Sequence, residues 1–185
     1  MASALMVYST IDGHTKKISE YLAGLFQARN VETTLLDIEN VTAEEFKRYG
    51  IVVIGASIRY GKHSPCVYRV VNQYRNQLIQ KGAAFFSVNL VARKLHKRDP
   101  YTNPYTKKFL KQVNWHPAQA AVFAGRLNYP MYTFWDKHLI RLIMWITKGP
   151  TDLHADIEFT DWKQVEEFAD LVLLSRDENS ARVSQ

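Results

Sequence analysis

Residues Ser9 to Thr15, Ser-Thr-Ile-Asp-Gly-His-Thr, set the hydroxyls of Ser9, Thr10 and Thr15 around Gly13, directly ahead of an amphipathic stretch. Hydroxyls, a backbone that glycine lets a ligand approach, and free N–H groups at the positive end of the following helix are the donors a phosphate needs. The lysine of G-x-x-x-x-G-K-S/T, which grips a nucleotide's outer phosphates, is missing, and so is the G-x-G-x-x-G of a dinucleotide site. A single terminal phosphate held by hydroxyls and amides fits better than a triphosphate or a dinucleotide. A capped helix with a polar turn would use the same residues, so the meaning of this loop depends on what joins it.

Two further stretches of similar character follow. "GASIRYGKHSP", Gly55 to Pro65, and "SVNLVARK", Ser87 to Lys94, each put small, polar or aromatic residues after an apolar run. In open parallel sheets, ligands bind beyond the carboxyl ends of the strands, so these loops and the first are expected at one edge.

The elements that must position them alternate along the chain. Ala4 to Tyr8, Glu32 to Ile38, Ile51 to Ala56, Ala83 to Val88 and Ala120 to Gly125 read as strands. Helices are expected over Thr15 to Arg29, with Ile18, Leu22, Leu25 and Phe26 on one face, and over Ala43 to Tyr49, Cys66 to Gln80 and Pro104 to Gln112. The last helix opens at Asp161 as N-cap and runs to about Ser175. Five strands separated by helices predict a doubly wound parallel sheet in a single domain over residues 1–176, with Asp177 to Gln185 as a disordered tail.

One segment breaks the alternation. Tyr129 to Phe159 is too long for a simple connection. Its wheel puts Met131, Trp135, Leu139, Leu142 and Ile146 on one face, Phe134 and Trp145 at the flank, and Lys137, Arg141 and Lys148 opposite. Such a helix either packs on the core or serves as an interfacial or substrate-covering element, since tryptophan and basic residues suit a headgroup boundary.

An apolar fraction of 46% with 23% charged residues is ordinary for a folded chain. The net charge of +6, from 24 basic and 18 acidic residues, favours an anionic partner. Nucleic acid is disfavoured, because few aromatics for base stacking interleave the basic residues Arg93 to Arg98. The lone Cys66 excludes an internal disulfide, and no apolar stretch of signal-peptide length precedes the first strand, so a reducing cytoplasm is expected. No run is long and apolar enough for a spanning helix, so membrane contact is expected to be peripheral.

"YSTIDGHT" is similar to the flavodoxin phosphate loop, with Asp12 and His14 where many flavodoxins carry Thr and Asn. Together with "IGASIRYGKHSP", "FFSVNLVARK" and "TDW", it more closely resembles the menaquinone-dependent protoporphyrinogen oxidase family of bacterial haem synthesis, over nearly the whole chain to about Leu174. The resemblance implies an α/β, flavodoxin-like, doubly wound five-stranded parallel sheet with a long helical insert (about 129–159) before the last helix. It further implies FMN as cofactor and oxidation of protoporphyrinogen IX to protoporphyrin IX with a membrane quinone, menaquinone or ubiquinone, as acceptor. A site at the cytoplasmic face of the bacterial inner membrane, against an anionic membrane surface, is expected, and homo-oligomerisation is left open. No metal is called for.

Carried over by position, Ser9, Thr10, Ile11, Asp12, Gly13, His14 and Thr15 hold the FMN phosphate. Ser57, Ile58, Arg59, Tyr60 and Gly61, with Ser87, Val88, Asn89, Leu90 and Ala92, flank the ring system, and Tyr60 stacks on it. A flavin needs an apolar or aromatic wall and dipoles at its polar edge. Arg93 and Lys94, with His96, Lys97 and Arg98, or alternatively Arg59 and Lys62, suit the propionates of a porphyrinogen. Trp135, Lys137, Arg141 and Leu142 are the candidates for substrate or membrane contact. His14, His63 and His138 are the available proton acceptors, none of them assigned. A flavodoxin-type electron shuttle and an NAD(P)H-dependent quinone reductase are the competing readings; shuttles are usually acidic, which +6 opposes.

Overall fold

The computed structural model describes residues 2–146 and 148–183, with the backbone alone over 177–183. The apolar runs form β1 (Ala2–Ser9), β2 (Val31–Asp37), β3 (Ile51–Ser57), β4 (Ala84–Asn89) and β5 (Ala120–Ala124), all parallel, in the order β2-β1-β3-β4-β5. This is the five-stranded doubly wound sheet the alternation predicts, with its order reversing between β1 and β3.

Alternation along each strand builds two cores. Leu5 and Val7 of β1 join Val52, Ile54 and Phe85 on one face, whereas Ala4 and Met6 join Val53, Ala84 and Phe86 on the other. Both faces are apolar, so both need helices. On the first lie α2 (Ala43–Arg48), α3 (Pro65–Gln80) and α4 (Pro104–Val113), through Phe46, Val67, Val71 and Phe109. On the second lie α1 (His14–Ala28), through Ile18, Leu22 and Phe26, and a long last helix through Val165 and Phe168. At Gly55 the sheet demands glycine, because Phe86, its partner in register on β4, lays its ring where a Cβ would stand.

The insert differs from its expectation in three ways. Its ends are clamped by an antiparallel ribbon, β6 (Arg126–Asn128) with β7 (Asp156–Glu158), whose strands are too short to show a period in sequence. Its helix, α5 (Phe134–Ile146), starts only after Thr133, whose hydroxyl accepts the Asp136 N–H at 3.4 Å. Met131 therefore sits in a preceding 3-10 turn (Tyr129–Met131) that Asn128 caps, and Lys148 lies past the helix in a left-handed conformation (φ 56°). The face shared by Met131, Trp135, Leu139, Leu142 and Ile146 thus does not exist as one surface.

The last helix, α6 (Trp162–Val183), takes Asp161 as its cap, with Gln164 N–H donating to Oδ1 at 3.4 Å. It runs past Ser175 because residues 176–183 contain neither Gly nor Pro to stop it, so the stretch read as a disordered tail from Asp177 is helical as far as Val183. Ser184 and Gln185 lie outside the described residues.

Candidate functional site

The loops after β1, β3 and β4 converge at the carboxyl edge of the sheet and, with β6 and α5, enclose a cavity of about 470 Å3. Its floor begins at the first loop. Gly13 takes φ +79° as it caps α1, a conformation that other residues adopt at a cost, and nothing lies within 4 Å of where its Cβ would be. Thr10 Oγ1 and Thr15 Oγ1 are buried without a partner in the protein. Buried polar atoms are nearly always paired, so two orphan hydroxyls around an open helix start form a cradle for an anion.

The second wall is a tight turn. Arg59 and Lys62 exchange both backbone hydrogen bonds, at 2.9 and 3.1 Å, while Tyr60 (φ 50°) and Gly61 (φ 76°) occupy the left-handed region. That is the type I′ geometry, which Gly accepts freely and Tyr does not. The strain holds Tyr60 62% exposed at the cavity rim. Behind it, His63 is buried between Phe85 and Phe109, and its Nδ1 lies 3.1 Å from the Ser57 carbonyl. Burial pushes its pKa down to about 4, so the ring is neutral and Nδ1–H donates to that carbonyl.

The third wall is organised by amides. Asn89 Oδ1 accepts from the Ala92 N–H at 3.2 Å, and its Nδ2 reaches Ser87 Oγ at 3.4 Å. The buried Asn103 in turn contacts Asn89 and holds the Lys97 carbonyl at 2.8 Å, fixing the 3-10 turns of Leu90–Arg93 and Leu95–Lys97.

Over the mouth lies α5, whose Leu139, Ile140, Ile143 and Met144 line the cavity together with Tyr132. Its Asp136 reaches across to the other loops. Arg59 donates to Asp136 at 2.5 Å and to both oxygens of Asp12 at 2.9 and 3.0 Å, and Tyr60 Oη donates to Asp136. Burial opposes the charge of Arg59, but Asp12 and Asp136 outweigh it and raise its pKa. At the opposite side, Thr160 Oγ1 donates to the Ala124 carbonyl at 2.9 Å and so accepts from His14 Nε2 at 2.6 Å. Burial lowers the pKa of His14 despite Glu158 nearby, so its imidazole is held neutral with the proton on Nε2.

Of the predicted cofactor residues, Thr10, Asp12, His14, Thr15, Ser57 to Gly61 and Val88 to Leu90 line this cavity. The others stand behind it. Ser9 Oγ faces Ser64 Oγ at 3.2 Å, Ile11 is half exposed, Gly13 shapes the turn, and Ser87 and Ala92 are buried supports of Asn89. Among the substrate candidates Arg93 lines the cavity, with a guanidinium donating to the Leu90 carbonyl at 3.0 Å, whereas Lys94 does not. Trp135, Lys137, Arg141 and Leu142 of α5 do not line it, and His138 packs on Phe134 there. Arg126, Asn128, Tyr132 and Asp136 were not anticipated. Only Asp136 carried a signal, as the lone acid in an apolar and basic helix.

A profile described as a flavodoxin domain matches residues 5–154. The chain is 41% identical over 165 residues to protoporphyrinogen IX dehydrogenase (quinone) of Escherichia coli strain K12, covering 89% of this chain and 91% of the relative. It is 46% identical over 166 residues to the protein of the same name from Leishmania major, covering 89% and 72%. Among solved structures, a flavodoxin from the domain Archaea superposes with TM-score 0.52 at 13% identity, over 94% of this chain and 99% of that one. The rubredoxin oxygen:oxidoreductase of Desulfovibrio gigas gives 0.59 at 12% identity, over 97% of this chain and 37% of that one. At these identities the structural likeness speaks for the fold.

Proposed function

This chain belongs to the flavodoxin-domain family, and we propose that it oxidises protoporphyrinogen IX to protoporphyrin IX with FMN as its cofactor and a membrane quinone as electron acceptor. The observation that carries this reading is the cavity itself, which joins an anion cradle at the start of α1 to an apolar chamber under α5. The cradle suits a terminal phosphate and the chamber suits a large apolar ring, and the relatives that match 89% of this chain at 41% and 46% identity are named for protoporphyrinogen and quinone.

The residues divide the work by chemistry. Thr10 and Thr15 hydroxyls and the free N–H groups at the start of α1 hold the phosphate. Asp12 would repel it, and Arg59 neutralises that carboxylate. Tyr60 and the backbone of Ser57 to Gly61, with the amide-braced loop at Asn89, line the cavity and would hold the ring system. Bound there, FMN would supply the two-electron redox chemistry between the reduced tetrapyrrole and the quinone. Leu139, Ile140, Ile143 and Met144 keep water from this space, and Arg93 offers a guanidinium to the acidic edge of the substrate.

The outer side of α5 is the natural membrane contact. Trp135 is 81% exposed and Trp145 71%, with Leu142 and Ile146 beside them and Lys137 and Arg141 adjoining, the arrangement of an interfacial helix on anionic lipid. Among the described residues no helix is long and apolar enough to cross a membrane. In this reading the protein works peripherally at the membrane surface where quinone and porphyrinogen partition, at the cytoplasmic face of the inner membrane. Trp135→Glu with Leu142→Glu is expected to abolish co-sedimentation with phosphatidylglycerol vesicles while FMN stays bound. Unchanged sedimentation would remove α5 from this role.

The function is tested by loading the protein with FMN and following porphyrin fluorescence anaerobically from protoporphyrinogen IX, with and without a menaquinone analogue. Growth that depends on quinone and exceeds the uncatalysed rate is expected. A stoichiometric yellow complex without growth, or one bleached rapidly by NADPH alone, would overturn the reading in favour of a shuttle or a nicotinamide-dependent quinone reductase.

A further inference from the structure

Asp136 lies in the first turn of α5, where the helix dipole favours an acid, yet its carboxylate is turned onto Arg59 across the cavity rim and buried there. Only it and Met144 are buried on α5, whose remaining residues are largely apolar or basic. Burying an ion pair exacts a desolvation penalty that packing with apolar groups would avoid. Its partner Arg59 is itself mostly enclosed, 19% exposed at the side chain, and rests against the rings of Tyr60 and Tyr132 at 5.7 and 5.5 Å. The other acid on Arg59, Asp12, is 39% exposed and correspondingly screened, so Asp136 is the stronger of the two attachments. Asp136 also accepts from Tyr60 Oη, so one carboxylate ties the cover helix to the strained turn at the cavity rim.

Resting on the function proposed above, the geometry points to Asp136 as an internal stand-in for a substrate carboxylate: a propionate of the porphyrinogen takes its place on Arg59, and α5 is thereby released from the cavity mouth. Exchange of one carboxylate for another keeps the guanidinium doubly paired, whereas removing Asp136 alone would leave it only the more exposed Asp12. The planar fork of Arg59 suits a carboxylate of either origin, and it lines the same chamber as Leu139, Ile140 and Ile143. An apolar macrocycle bearing acids matches both halves. Asp136, freed with the first turn of α5, passes to water. Arg59 is a substrate-binding residue in this account, and Asp136 is a positioning residue for the cover.

The test uses FMN-loaded protein and two porphyrins that share a ring, protoporphyrin IX and its dimethyl ester, whose binding is read by porphyrin fluorescence anisotropy. Trp135 and Trp145 emission reports on α5. Wild type is expected to prefer the diacid, and only the diacid is expected to shift the tryptophan emission. Asp136→Asn should widen the preference for the diacid by about tenfold, because a neutral amide competes less well for Arg59, and Arg59→Gln should erase it. Retention of the yellow complex shows that both variants fold. A diacid-to-diester ratio that is the same in all three proteins overturns the exchange while leaving the proposed function standing. If wild type binds neither porphyrin, that function itself fails. Succinate should leave the emission unchanged, and a shift equal to that of the diacid would overturn the assignment to propionates of the macrocycle.

Discussion

Replacing both Thr10 and Thr15 by valine is expected to weaken FMN binding by about a thousandfold, while the affinity for riboflavin, which has no phosphate, stays as it was. Each hydroxyl donates to a charged oxygen in the complex, an interaction of about 2 kcal/mol, and two of them together give about 4 kcal/mol. The cofactor-free protein should respond with the opposite sign. Thr10 Oγ1 and Thr15 Oγ1 have no partner there, and exchanging an unsatisfied buried hydroxyl for a methyl of similar volume removes a desolvation penalty. Flavin fluorescence quenching gives both affinities, and thermal unfolding without cofactor gives the stability. Equal losses of FMN and riboflavin affinity would show that the substitutions damaged the fold, and an undiminished FMN affinity would move the phosphate away from this loop.

The second large effect concerns acid. His63 ordinarily titrates near 6.5, but in the folded protein burial holds it at about 4. Between those values the unfolded chain binds a proton that the native one refuses, so unfolding becomes easier as pH falls. The full stability is present above pH 6.5, and about 3 kcal/mol of it is lost by pH 4 through this one ring. His63→Asn keeps an N–H near the Ser57 carbonyl and does not titrate. Urea unfolding of the two proteins from pH 7 to pH 4 should give curves that converge on acidification, with the variant less stable at neutral pH because it leaves a cavity beside Phe85 and Phe109. Carboxylates whose pKa is lowered by their partners, such as Asp161 beside Arg98, also lose stabilisation in acid, but equally in both proteins. Parallel curves would mean that His63 charges in the folded state.

The two effects separate what the turn at Ser57 to His63 does from what the first loop does. The first loop meets the ligand directly. His63 does not line the cavity; it holds the Ser57 carbonyl and with it the position from which Arg59 and Tyr60 extend. A candidate proton acceptor in the sequence is therefore a structural donor in the fold. His14 has a similar history, since its Nε2 proton is committed to Thr160, a residue 146 positions away.

How much was legible in advance follows from the range of the forces involved. Alternation and helical spacing are local, so five strands, their intervening helices and the loops at their ends could be read from order alone, and so could the hydroxyls and glycine of the first loop. Sheet order, by contrast, is decided by which apolar faces find covers. The ribbon of Arg126–Asn128 with Asp156–Glu158 is too short to carry a period, and it redirects the insert so that α5 turns Leu139, Ile140 and Ile143 toward the cavity and Trp135 and Trp145 toward solvent. Asp136 meets Arg59 across 77 positions of sequence, where no spacing rule operates. That contact exists because two separately formed edges, the end of β3 and the start of α5, are brought to one rim by the packing beneath them.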